Sequence, residues 1–514
     1  MTLASKTMRE RGPTMEGNPL TLIPVLVFLL ITFAVVMRIN RRVAVEGKDF
    51  VSEYFIGSRS LGGFVLAMTT IATYGSVSSF VGGPGQAWSV GWGWVYMSAV
   101  QVTALFLLFG ILGKKLALIS RKIGAITIID VLRARYKSDA IANISAVIIL
   151  LFFAAMMVAQ FVGGAKLFES VTGYSYVIGL LIFGIVVISY TTVGGFRGVA
   201  ITDAICGVMM IVGIVILAAG ILIAGGGYEN IMNTIMVENP GMMDPLSDGQ
   251  MPIGLYVTQW LLVGVLTFCL PQSVVRCMGF KDEKALKNAM VVGTVIIGLM
   301  MICVTSLGVL SKGVLPGSLD EYGGSVDNII PSAIMNSLPA WLAGIAIVGP
   351  IAASISTVSS LLISSSSSII KDMYMHHCEK NGRSVADTRI STLSRIFTYA
   401  VGIIVLVIAI APPDVIWKIN MFAFGGLETA FCWVFVMGLF WKKAHAWGAL
   451  ASMVGGVAAY CITMAMGFKL FDLHQIVIGA SLSLVLMLVF SWLGTWRDKR
   501  RGIVDQPDGV FFVA

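Results

Sequence analysis

Charge is what this sequence has least of. Asp, Glu, Lys and Arg make up 12% of its 514 residues, against roughly 25% in soluble domains, while 57% are hydrophobic and the mean hydropathy is +0.89. That excludes the string of soluble domains its length would otherwise suggest. Missing too are a Walker A loop, a GxGxxG opening a βα unit, an HExxH and any Cys/His cluster, so ATP-driven and enzymatic functions lack their residues. The seven cysteines make no disulfide framework. Cys206, Cys269, Cys303, Cys432 and Cys461 fall inside apolar runs, and Cys277 and Cys378 lie near the ends of such runs, as reduced structural thiols do. The net charge of +8 points to no nucleic-acid partner, because Lys and Arg sit in short loops between apolar runs, where they report orientation.

What is present is a series of apolar runs of about 20 residues, the length a helix needs to cross a bilayer. They fall near residues 20–38, 62–84, 90–112, 139–168, 174–191, 199–225, 253–275, 288–311, 338–369, 390–411, 415–440, 445–467 and 474–496. The expected fold is an all-α polytopic membrane protein of about 13 transmembrane helices. The 139–168 and 338–369 runs exceed one crossing and should tilt or extend beyond the membrane. Lys6, Arg9 and Arg11 ahead of Leu20 resemble a signal peptide, but the run to Met37 is long and no small-residue cleavage site follows, so it reads as a retained span. Met15 precedes that span, which leaves the first 14 residues as a tail or an over-long start.

Loop charge tests the count. Basic residues follow the odd-numbered spans: Arg38, Arg41, Arg42 and Lys48; Lys114, Lys115, Arg121, Lys122, Arg133, Arg135 and Lys137; Arg197; Arg276, Lys281, Lys284 and Lys287; Lys371, Lys380, Arg383 and Arg389; Lys442 and Lys443; and the end from Arg497 to Arg501. The other loops are poor in Lys and Arg, and two are acidic, with Glu229, Glu238, Asp244 and Asp248 in one and Asp320, Glu321 and Asp327 in the other. The positive-inside rule then puts the N-terminus outside and the C-terminus in the cytoplasm of a multi-pass inner-membrane protein.

Two spans are interrupted, and paired interruptions mark binding sites in transporters built from inverted halves. The second carries glycines, hydroxyls and a proline in RSLGGFVLAMTTIATYGSVSSFVGGPG and breaks around Thr73–Gly75; the seventh, GLYVTQWLLVGVLTFCLPQSVVRCMG, breaks around Leu270–Pro271. Irregular backbone survives in lipid only where it lines a protein-enclosed cavity. The parse is a tail (1–19), an extra first helix with its cytoplasmic loop (20–61), a five-helix repeat (62–225), an extracellular loop (226–252), a second repeat (253–440), two further helices (441–496) and a cytoplasmic tail (497–514).

Ser356 and Thr357 are adjacent hydroxyls deep in the ninth span, and Ala353 lies one turn earlier, its carbonyl able to face them if the helix is locally distorted. With the Ala72 and Gly75 carbonyls of the second break they offer the hard oxygens a desolvated alkali ion needs. Hydroxyls in spans also bond their own helix carbonyls and let helices approach, which is the reading for the later run Ser364–Ser368. Asp203, at the start of the sixth span, is either a carboxylate on an ion's route inward or a helix-start group paired with Arg197. Glu428, in the eleventh span, reads as a helix-holding partner in pairing or hydrogen bonding ahead of a role in transport chemistry, and Arg276 as a cytoplasmic-side gate or loop anchor. Solute contacts are sought at Tyr74, Ser76, Ser79, Gln101, Gln160, Trp260 and Gln272, near half-helix N-termini that suit an anionic group.

From Pro19 to Trp496 the chain resembles the sodium:solute symporter family. The matches are EYFIGSRSLGG, ATY followed by SSFVGGPG, GGFRGV followed by TD, LPQSVVRCMGFKD, AASISTVSS with IIKDMY, and FAFGGLE followed by GLFWKKA. Within the family, SSFVGGPGQAW, QFVGGAKLFE, GLLIFGIVV and LPQSVVRC look most like members that carry pantothenate. The resemblance implies a five-plus-five inverted-repeat core with alternating access, Na+ as coupling ion, and one sodium site on the carbonyls of Ala72, Gly75 and Ala353 and the hydroxyls of Ser356 and Thr357. It implies transient sodium binding at Asp203 on the exit route, and pantothenate or a related small carboxylate as the solute, with an amino acid such as proline the alternative. Proline-carrying relatives place an aspartate where this chain has Tyr74, which suits an anion lacking an amine. Transport by a monomer within the lipid bilayer is expected; a solute sensor is disfavoured, because only 18 residues follow Trp496 and they hold no recognisable signalling domain.

Overall fold

The computed structural model describes residues 19–46, 62–502 and 509–512, and every regular element among them is helical. The expected N-terminal tail and the segment carrying Lys48 and most of EYFIGSRSLGG lie outside the described residues. Eleven helices are long and apolar enough to cross a membrane, and two further spans are bent pairs, giving 13 if each pair counts once. The bends fall in the second span (Gly63–Tyr74 with Ser78–Val90, 63°) and the seventh (Ile253–Cys269 with Pro271–Met278, 42°). They stand five spans apart, at the expected places.

Each break has a local cause. In the second span the backbone leaves helical geometry at Gly75 (ψ 100°), whose N–H closes back on the Ile71 carbonyl at 2.7 Å. In the seventh, Pro271 forces its predecessor out of the helical region; Leu270 is extended (φ −63°, ψ 123°), and Pro271 opens the next helix where its missing N–H costs nothing. A wide turn over Leu261–Val265 and a tight one over Leu266–Cys269 precede that point, so the irregular stretch is longer than the sequence suggested. The fifth and sixth spans, Tyr176–Phe196 and Gly198–Ala224, join at Gly195, whose φ of 59° with ψ of −174° only glycine adopts freely.

The ninth span is the axis of the bundle. Its most apolar window is 94% buried, against 28% for the first span and 33% for the twelfth and thirteenth, which therefore lie at the periphery. It runs from Ala340 to Lys380, 41 residues, or about 60 Å at 1.5 Å per residue, roughly twice the hydrocarbon thickness. The expected extension beyond one crossing is thus present. The sixth span crosses it where Gly213 meets Gly349; a Cβ on Gly213 would lie 2.8 Å from the Ala346 carbonyl oxygen.

The two acidic loops, read from sequence only as connectors, contain helices at Tyr228–Glu238 and Ile329–Ser337. Ile329, Ile330, Ala333 and Ile334 are buried, so the second of these helices is packed onto the bundle.

At the opposite, basic end, a Thr127/Asp130 capping box starts helix Ile128–Tyr136. Asp130 also pairs with Lys371, Thr127 Oγ1 donates to Asp372 (2.5 Å), and Asp139 takes His376 (3.0 Å) and Lys380 (2.6 Å). This seam clamps the helix between the third and fourth spans to the end of the ninth. Burial pulls the Asp130 carboxyl upward, but the Lys371 ammonium and the N–H groups of Ile126 and Thr127 outweigh it and hold the group below the usual carboxylate range. A depressed folded value contributes stability above about pH 4, the ordinary Asp value, and loses it as pH falls further. The melting temperature of Asp130→Asn should therefore lie below wild type at pH 7, with the gap narrowing below about pH 4. A gap independent of pH would mean the charge plays no part.

Candidate functional site

The second and ninth spans meet at the first break. Ser356 Oγ donates to the Ala72 carbonyl at 2.6 Å and lies 3.2 Å from the Ala353 carbonyl; Thr357 Oγ1 donates to the same Ala353 oxygen at 2.9 Å. Two hydroxyls and two carbonyls thus converge, all on residues with 0% exposure. The helix there is continuous over Ala340–Ile369, so both hydroxyls reach Ala353 without the local distortion expected from sequence. Gly75 stands at the turn of the break, its N–H already used by Ile71. The oxygen types suit a small hard cation once the hydroxyl hydrogens turn outward, since the hydroxyls and carbonyls bring no net charge of their own.

About one helical turn further toward the basic end lies a buried ion pair. Arg276 Nη2 sits 3.2 Å from Asp203 Oδ2, with the two residues 1% and 0% exposed. Arg276 also donates to Thr69 Oγ1 (2.8 Å), to Ser360 Oγ (2.8 Å) and to Thr73 Oγ1, while Thr69 donates to Asp203 Oδ2 (3.0 Å). The cluster ties the second, sixth, seventh and ninth spans together. Arg276 is thus no loop anchor but a buried cross-link, in line with the gate alternative. Among the described residues the charged partner of Asp203 is Arg276; the side chain of Arg197 lies outside them. Thr69, Thr73 and Ser360 were not singled out from sequence, although Thr69 and Thr73 lie four residues apart on one helix face.

The expected solute residues divide. Tyr74 donates from its hydroxyl to the Val263 carbonyl at 2.8 Å and so joins the two breaks. Gln160, on the fourth span, accepts the Val77 N–H at 3.0 Å through Oε1 and leaves Nε2 buried without a partner; its own carbonyl takes Ser354 Oγ at 2.8 Å. Ser76 at the break carries a buried hydroxyl without a partner, as does neighbouring Ser78, which sequence reasoning passed over. Gln272 follows the second break, its Nε2 3.8 Å from Met156 Sδ and its Oε1 unpartnered. Ser79 is half-buried in the turn opening the outer half-helix. Gln101 is buried at the irregular turn between Trp92–Ala99 and Val102–Leu107, and no described side-chain hydrogen bond ties it to either break. Trp260 is not brought to the site: it is 38% exposed and packs against Tyr256.

The two sides of this region differ. On the acidic side Lys166 of the fourth span pairs with Asp327 (3.2 Å) and Ser325 (3.1 Å), and Asp327 also accepts the Ile416 N–H that opens the eleventh span (3.1 Å). On the basic side Ser364, Ser367 and Ser368 line a small cleft with Phe153, Pro271 and Asp372. The serine run read as a packing face behaves as one: Ser368 donates to the Ser364 carbonyl of its own helix (2.9 Å) and Ser366 to the Ser394 carbonyl of the neighbouring helix (3.1 Å).

A family model for the sodium:solute symporter family matches residues 54–456. The sodium/pantothenate symporter of Haemophilus influenzae is 40% identical over 480 residues, 93% of this chain and 97% of the relative; that of Escherichia coli is 37% identical over 475 residues, 92% and 96%. A solved substrate-bound, outward-open Na+-coupled sialic acid symporter shares the fold with a TM-score of 0.77 at 20% identity, covering 93% of this chain and 98% of its own.

Proposed function

Because this chain belongs to the sodium:solute symporter family, we propose that it is a sodium-coupled secondary transporter, not an enzyme, that imports pantothenate by alternating access across the cytoplasmic membrane. The observation that carries the reading is the meeting of Ser356 and Thr357 with the Ala72 and Ala353 carbonyls at the break of the second span. Sodium placed there, with the Gly75 carbonyl as a further ligand, bridges the second and ninth spans and fixes the broken segment beside it. That segment presents Ser76 and Ser78 to the solute, with Gln160 of the fourth span beside them, and Tyr74 couples it to the second break. Coupling follows if each ligand binds better with the other present.

Basic loops face the cytoplasm in this reading, with the N-terminus outside and the C-terminus inside. The two five-helix halves, 62–225 and 253–440, rock about the breaks. Release requires the Arg276–Asp203 pair to part, after which Asp203 is free to hold sodium transiently on its way inward. A single chain in the bilayer is the transporting unit in this reading. The test is uptake of radiolabelled pantothenate into proteoliposomes with and without an inward sodium gradient, in the presence of excess proline or a short monocarboxylate. Sodium-driven accumulation that neither competitor reduces is expected. Sodium-driven uptake of a competitor with none of pantothenate would overturn the substrate.

A further inference from the structure

Glu428 was expected to hold its helix by pairing or hydrogen bonding, and the structure gives it neither. It is 0% exposed in the middle of Ile416–Phe440, and both of its carboxyl oxygens are buried without a hydrogen-bond partner among the described residues. A buried carboxyl left without donors is costly, and such a group persists where something it binds supplies them. Its surroundings belong to the candidate site. The carboxyl lies close to Tyr74 at the first break and to Cys269 at the second, and Cys269 Sγ lies 3.9 Å from the carbonyl of Cys432, one turn beyond Glu428.

Besides the Gln272 Oε1 acceptor after the second break, the unpartnered polar atoms around the breaks fall on two sides. On the side of the second and fourth spans Gln160 Nε2 is a donor, because Oε1 already accepts the Val77 N–H, and the hydroxyls of Ser76 and Ser78 are able to donate beside it. On the side of the eleventh span is an acceptor, Glu428. Thiols and phenols neighbour that carboxyl, and no cluster of metal-ligating side chains occurs among the described residues, so a second hard cation is a poor fit. An elongated solute with a carboxylate at one end and hydroxyls and an amide N–H toward the other matches this polarity, and pantothenate has that form.

Resting on the pantothenate reading above, we propose that the solute lies in one fixed orientation, its carboxylate toward Gln160, Ser76 and Ser78 and its hydroxyl and amide donors toward Glu428, which selects for them. Glu428 is then a specificity-determining residue. The test compares wild type and Glu428→Gln for inhibition of labelled pantothenate uptake by two probes: unlabelled pantothenate, and an N-acyl-β-alanine of the same length lacking both hydroxyls. In wild type the hydroxyl-free probe should bind at least about tenfold more weakly than pantothenate, the size expected for the loss of two hydrogen bonds. In Glu428→Gln pantothenate should weaken by about tenfold while the hydroxyl-free probe does not, at an unchanged sodium requirement.

Equal inhibition by the two probes in wild type overturns the proposal even if the variant fails to fold. Unchanged pantothenate affinity in a well-expressed variant, or an altered sodium requirement alone, overturns it too. Normal pantothenate transport by wild type in those cases leaves the substrate reading standing, whereas wild type that transports no pantothenate sinks both.

Discussion

A Ser356→Ala/Thr357→Ala double variant is expected to need at least about tenfold more sodium for half-maximal uptake, a change of about 1.4 kcal/mol in sodium binding, and at low sodium to show almost none. Ser356 reaches the Ala72 and Ala353 carbonyls and Thr357 the Ala353 carbonyl, so the double substitution removes half of the oxygens the structure gathers there. An alkali ion stripped of water regains too little from the carbonyls alone. The helix itself should survive, because alanine has the best helix propensity and each substitution removes only a small side chain. Each single variant should fall between wild type and the double. Unchanged sodium activation in a variant that melts like wild type would remove the site from this position.

Arg276→Gln should have an effect of similar size by a different route. It strips the counter-charge from Asp203, which has 0% exposure and an Oδ1 already without a partner. Breaking one side of a buried pair typically costs about 3–5 kcal/mol because the remaining charge is left uncompensated. The cluster also closes the basic side of the route, through Thr69 and Thr73 of the second span and Ser360 of the ninth. Loss of concentrative uptake and a lower melting temperature are therefore expected together. Combining Arg276→Gln with Asp203→Asn should recover much of the stability, since no lone charge remains, but not the coupled transport. If the two single costs simply add in the double variant, the residues do not act as a pair.

Periodicity and loop charge made the spans legible, because apolar runs of bilayer length and alternating basic loops are local properties. The breaks were legible for the same reason: Gly75 and Pro271 act on their own backbone neighbours. Convergence was not. That Arg276 reaches Asp203, 73 positions earlier, depends on how four helices pack. Trp260 shows the converse error, since its place on an interrupted span suggested the site while its helix face directs it outward. For Glu428 the helix-holding reading outweighed transport chemistry because sequence shows a buried carboxyl but not whether a partner stands opposite. The loop helices Tyr228–Glu238 and Ile329–Ser337 were missed because they are short and sit between apolar runs that dominate the pattern.

The central claim is that one cation, held between the second and ninth spans, organises the solute site. Equilibrium binding of labelled pantothenate to the purified protein, titrated across sodium concentration at constant ionic strength, tests it most directly. The account predicts that sodium tightens pantothenate binding in wild type, that pantothenate tightens sodium binding by the same factor, and that both effects vanish in the Ser356→Ala/Thr357→Ala variant. Pantothenate affinity that does not depend on sodium in wild type, or that keeps its full sodium dependence in the variant, would contradict it.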